Sequence, residues 1–112
     1  MKKTVIYARS ASKENSEQAI EMQVNTCKEF AKSKGLEVSY VYYDVGSGTN
    51  TKRPGFQTMI SDVKAHGIKR VLVYSIDRLS RNRNDVMECW ANGIEIISTI
   101  ESIPPEFFQR GC

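Results

Sequence analysis

Directly behind the apolar run Val71-Leu72-Val73-Tyr74, the chain crowds one carboxylate and three guanidiniums into a few residues: Asp77, Arg78, Arg81 and Arg83. Arginine presents a rigid planar fork that matches phosphate oxygens bidentately, which lysine cannot do. One arginine in such a place reads as a solvated helix start. Three of them behind a strand end, with Asp77 to hold the first, read as a phosphate site. Two other strand-like runs end in related groups. Val5-Ile6-Tyr7-Ala8 leads into Arg9-Ser10-Ala11-Ser12, and the stretch from Leu36 to Tyr43 ends at Asp44. Arg53, at the mouth of a helix opened by Pro54, can reach the same edge.

The chemistry open to this set is narrow. The one histidine, His66, sits beside Gly67 at a helix end and reads as a capping or surface residue. A Ser-His-Asp hydrolase is therefore excluded on residue count. A metal nuclease is disfavoured, because Asp44 and Asp77 each read as the salt-bridge partner of an arginine. What remains is a serine attacking phosphorus. A serine hydroxyl is a poor nucleophile at its own pKa. Arginines around a phosphodiester help it by stabilising the added charge of the pentacoordinate transition state. No lysine-bearing phosphate loop calls for ATP.

These groups need a sheet to gather them. Asn15 reads as an N-cap, with Gln18 completing a capping box. Ile20, Val24, Cys27 and Ala31 then recur at helical spacing until Gly35. After the second strand comes a loop over 45–52, rich in glycine and hydroxyls and mobile by composition. The helix opened by Pro54 buries Phe56, Met59, Ile60 and Val63 and stops at Gly67. The central strand spans 71–76, a helix passes through Val86, Met87 and Trp90 to Gly93, and Ile94-Glu95-Ile96-Ile97 forms a fourth strand. Strands and helices alternating in this way predict a mostly parallel α/β sheet with helices on both faces. In such sheets ligands bind at the carboxyl ends of the strands, where all of the candidate groups lie.

Composition sets the outer bounds. A length of 112 residues suits one domain with one core. No apolar run approaches a membrane span, and the N-terminus has no signal-peptide pattern. Three cysteines without ligand spacing read as reduced thiols of a cytoplasmic protein, Cys27 and Cys89 in the core and Cys112 at the tail. Net charge is only +3, but residues 52–83 carry eight Lys/Arg against Asp62 and Asp77. That polarity suits a polyanionic partner, although a solvated face would look the same.

Taken together, several motifs resemble the catalytic domain of serine site-specific recombinases. They are Tyr7-Ala8-Arg9, Gln23, Asp44 with Ser47-Gly48, Arg53-Pro54-Gly55-Phe56, and Asp77-Arg78-Leu79-Ser80-Arg81-Asn82. This is the resolvase/invertase family, and the pattern is nearer to its large serine recombinase and transposon branch. The resemblance covers roughly residues 3 to 100. It implies a three-layer, flavodoxin-like fold with a mostly parallel sheet of four to five strands. It also implies DNA as partner, a covalent 5′-phosphoseryl intermediate, action as a dimer or tetramer, no metal or nucleotide cofactor and no membrane. Carried over by position, Arg9, Arg53, Arg78 and Arg81 would bind and activate the scissile phosphate and Asp77 would orient them. Gln23, Asp44 and Ser47 would support the substrate.

The family pattern Tyr-x-Arg-x-Ser puts the nucleophile where this chain has Ala11. Either a neighbouring serine has taken the role, Ser12 in preference to Ser10, or the domain does not cleave. The helix Asp85 to Asn92 is about a turn short for the family. Residues 1–103 are expected to form the domain and 104–112, with Phe107 and Phe108, an irregular tail. The long helix and DNA-binding domain that follow in the family have no counterpart in this sequence.

Overall fold

The computed structural model describes residues 3–10, 14–45, 54–79 and 83–100. The elements run β1 (Lys3–Ser10), α1 (Ser16–Ser33), β2 (Val38–Val45), α2 (Pro54–His66), β3 (Ile68–Val73), α3 (Ile76–Leu79), α4 (Arg83–Ala91) and β4 (Glu95–Ser98). The four strands form one sheet in the order β2-β1-β3-β4, with every neighbouring pair parallel. The expected α/β fold with helices on both faces is therefore present. β1 is buried from Thr4 to Ser10, and β3 at Ile68 and from Val71 to Val73, because each is covered on both sides.

Two layers of core flank the sheet. On one face Val5, Tyr7, Tyr42, Val71, Val73 and Ile96 pack with Phe56, Met59 and Val63 of α2, Leu79 of α3, and Val86 and Cys89 of α4. On the other, Ile6 and Leu72 pack with Cys27 and Ala31 of α1, joined by Val24 and Phe30. Successive strand residues alternate between these faces. Residues 5, 7 and 9 of β1 thus belong to the α2 side, and residues 6, 8 and 10 to the α1 side. α1 is closed by Gly35 at φ 70°, with Leu36 N–H bonded to Ala31 O and Gly35 N–H to Lys32 O. That paired pattern needs a left-handed residue and explains the glycine.

Three details depart from the sequence reading. Asn15 adopts φ 57° and makes no side-chain cap bond, so the capping box with Gln18 does not form. The left-handed turn offers the helix its backbone carbonyl instead, which accepts from Ala19 N–H. β3 starts at Ile68, earlier than expected, because Ile68 and Arg70 already pair with Lys3 and Thr4 of β1; Arg70 also meets Glu95 of β4 at 3.2 Å. β3 also ends at Val73, short of the expected end at residue 76, and Ile76 opens the short helix α3. The buried Leu79 pulls that turn onto the core. The loop 46–53 and the tail 101–112 lie outside the described residues.

Candidate active site

All strands being parallel, the ends of β1, β2 and β3 share one edge of the sheet. β1 brings Arg9 and Ser10 to it and β2 brings Asp44, which stands beside Arg9 in register. β3 leads through Ser75 into α3, which carries Asp77 and Arg78 and packs against β1. The edge predicted from sequence is thus assembled for Arg9, Ser10, Gln23, Asp44 and Arg78. Of Asp77 the structure describes the backbone, in α3. Ala11, Ser12, Ser47, Arg53 and Arg81 lie outside the described residues.

Arg9 is only 2% exposed. A guanidinium does not lose its proton in a protein, so this is a fixed cation embedded at a strand end. Its backbone is gripped from α1. The Gln23 amide accepts from Arg9 N–H at 3.2 Å and donates to Arg9 C=O at 2.9 Å. The pairing of β1 with β3 ends at Tyr7 opposite Val73. Two residues further along β1, at Arg9, the Gln23 amide takes the place a strand would hold. Gln23 is itself 1% exposed, and a buried amide persists only when both of its ends are bonded in this manner. Ser10 ends β1 and is buried. Strand alternation puts it on the α1 face, opposite to Arg9.

Asp44 was expected to pair with an arginine. Among the described residues no arginine pairs with its carboxylate. Oδ2 accepts from the Tyr7 hydroxyl at 2.6 Å and from Phe56 N–H at 2.9 Å, and Oδ1 accepts from Gly55 N–H at 2.7 Å. Gly55 and Phe56 open α2, whose first N–H groups have no partner within the helix. A carboxylate there satisfies them and meets the positive end of the helix dipole. Contact this close requires glycine: a Cβ on Gly55 would lie 2.2 Å from the Tyr43 carbonyl oxygen. Tyr7 and Phe56 meet edge to face at 5.8 Å, and the Tyr42 hydroxyl donates to Asp62 of α2 at 2.7 Å. α2 is thereby tied to β2 at two points. Burial and the Asp62 carboxylate both push the Tyr42 phenol up, so it stays neutral.

Arg78 is half-buried in α3, its N–H bonded to Ser75 O. Cys27 and Cys89 are buried and in no disulfide, and burial pushes Cys27 up to about 12, which leaves it inert as a nucleophile. The exposed His66 stands 3.9 Å from Asp62 at the end of α2, the surface place expected for it. Tyr7 and Gly55 are the site-edge residues whose roles sequence reasoning missed. Both fell within quoted motifs, but only the folded chain shows that a tyrosine on β1, an aspartate on β2 and a helix start converge.

Residues 4–105 match the family model for the resolvase N-terminal domain. The chain belongs to the resolvase family. Solved structures agree with this. The N-terminal catalytic domain of TP901-1 integrase superposes with a TM-score of 0.83 at 31% identity, over 98% of this chain and 91% of that one. The C-terminal catalytic domain of ISC1926 TnpA, an IS607-like serine recombinase, gives 0.78 at 30% identity, covering 96% and 74%. A resolvase family site-specific recombinase from Streptococcus pneumoniae gives 0.78 at 25% identity, covering 99% and 83%. No curated protein matches the sequence. The resolvase-like domain described from its strand-end arginines is thus a relative of serine recombinase catalytic domains. No helix among its described residues is long and apolar enough to cross a membrane.

Proposed function

We propose that this resolvase-family domain cleaves and rejoins DNA in site-specific recombination, with Ser12 as nucleophile. The Ser12 oxygen attacks a backbone phosphorus, forming an O–P bond to the 5′-phosphate. The P–O3′ bond breaks, and the departing 3′ oxygen ends as a hydroxyl carrying the proton that serine gave up. The phosphodiester is exchanged, not hydrolysed, so the reverse attack by a 3′-hydroxyl reseals a strand without ATP. Arg9, Arg53, Arg78 and Arg81 neutralise the developing charge on the phosphoryl oxygens. Asp77 orients them. The DNA strands are exchanged within an oligomer of the chain.

The observation that carries this reading is the buried cation Arg9 at the sheet edge shared with Arg78, in a chain similar to serine recombinase catalytic domains. Burying a guanidinium this fully carries a desolvation cost that only paired groups of opposite charge and hydrogen bonds offset. Ser12 is preferred because Ser10 is the last residue of β1, where strand alternation turns it away from the Arg9 side chain, whereas Ser12 follows the end of the strand and is not bound by that alternation.

A second reading has one observation in its favour: Ala11 stands where the family pattern has serine. In that reading the domain binds phosphate or DNA and cuts nothing. A nicked suicide substrate separates the two. The recombinase reading expects a protein–DNA adduct that peptide mapping places on Ser12, abolished by Ser12→Ala and by Arg81→Ala. If no adduct forms until Ala11→Ser is introduced, the natural chain is an inactive relative. An adduct on Ser10 would refute the nucleophile and keep the enzyme.

A further inference from the structure

Asp44 was expected to support substrate, yet its carboxylate is spent inside the protein. It is 6% exposed and takes three donors at 2.6 to 2.9 Å: the Tyr7 hydroxyl and the Gly55 and Phe56 N–H groups. A phosphate approaching this edge would meet a fixed negative charge whose oxygens are already bonded. The same bonds occupy the first N–H groups of α2, so that helix start is closed to a phosphate as well. The absence of a Cβ at Gly55 lets α2 touch the β2 backbone. Arg53 is joined directly to Pro54, so whatever fixes the first turn of α2 fixes the point from which Arg53 departs.

We propose that Tyr7, Asp44 and Gly55 form a clamp that sets the N-terminus of α2 against the ends of β1 and β2, making Tyr7 and Asp44 positioning residues that act through Arg53. This rests on the recombinase reading above, because Arg53 matters only if the edge handles a phosphate. Each part of the clamp contributes differently. Asp44 joins three elements, since Tyr7 belongs to β1, Asp44 itself to β2, and Gly55 and Phe56 to α2. Tyr7 holds one carboxylate oxygen and meets the Phe56 ring edge to face, which orients the carboxylate toward the helix. Gly55 sets the approach distance. A displacement of α2 by about 1 Å would leave the chain folded and still cost on the order of 100-fold in a step that depends on arginine placement.

The test uses whichever of the full chain and its Ala11→Ser variant yields the DNA adduct. In that background Tyr7→Phe removes one donor, and Asp44→Asn keeps the shape while losing an acceptor. Adduct formation is timed at DNA concentrations above the measured Kd, with near-ultraviolet circular dichroism to confirm a native core. The clamp predicts a loss of about 100-fold in adduct rate with Kd unchanged for Asp44→Asn, and a smaller loss for Tyr7→Phe. Combined with Arg53→Ala, neither substitution should cost anything more, because both act through that arginine. Losses that multiply with Arg53→Ala, or an unchanged rate in Asp44→Asn, would overturn the clamp and leave the recombinase reading standing. If neither background forms an adduct, the recombinase reading itself fails, and the catalytic role of the clamp with it.

Discussion

The two faces of the sheet meet its carboxyl edge with opposite chemistry. On the α1 face a neutral amide, Gln23, takes the two backbone groups of Arg9. On the α2 face a carboxylate, Asp44, takes the backbone of another helix and the hydroxyl of Tyr7. The amide can both donate and accept, so it can complete a strand beyond the end of its neighbour. The carboxylate only accepts, so it suits a helix start, where only donors are left over. One device prolongs a strand to carry Arg9, and the other fixes where a helix begins. Both spend their polar atoms on scaffold.

Substitutions can break each device separately. Asp44→Ala should cost most, about 3 kcal/mol of unfolding free energy, since it leaves two backbone donors and the buried Tyr7 hydroxyl without their acceptor. Urea titration measures it. Gln23→Leu should follow at roughly 2 kcal/mol, because it strands both backbone groups of Arg9 while keeping the volume filled. If Gln23→Leu proved neutral, the strand-extending role of the amide would fail. Gly55→Ala should cost about 1–3 kcal/mol, the range for overpacking, as the new methyl must push α2 off the Tyr43 carbonyl. A neutral Gly55→Ala would show that the close approach is not required.

The α1 face also carries a milder test one turn beyond Gln23. Cys27 has its folded pKa raised from 9.0 to about 12 by burial. Above pH 9 the unfolded chain therefore loses this proton while the folded chain keeps it. Stability should fall as pH climbs from about 9, and replacing the thiol, Cys27→Ala, should flatten that part of the curve. Alkylation of the native protein followed by peptide mapping should find Cys27 unlabelled. Rapid native labelling of Cys27 would mean that the α1 face opens easily.

Much of this was readable beforehand, for reasons that differ by element. The apolar runs of β1 and β3 announced buried parallel strands, and alternation with helices implied one shared edge. Gly35 and Gly67 marked helix ends by chemistry visible in a single residue. Asn15 misled, because an amide suits both an N-cap and a left-handed turn, and only the neighbouring backbone decides between them. The short α3 was hidden because a four-residue helix, anchored among its described side chains by Leu79, offers too little periodicity to announce itself. Asp44 was seen as a site residue, but its donors were not: they are Tyr7, 37 positions before it, and Gly55 and Phe56, 11 and 12 positions after it, contacts that no local pattern encodes.

Amide hydrogen exchange at Arg9, Gly55 and Phe56 tests most directly whether the edge is held by two separate side-chain devices. In the unsubstituted protein all three amides should exchange slowly. Gln23→Leu should speed Arg9 and leave Gly55 and Phe56 protected, and Asp44→Asn should do the reverse. If either substitution released all three amides together while the core stayed folded, the edge would be one cooperative unit, and the division between the two faces would be wrong.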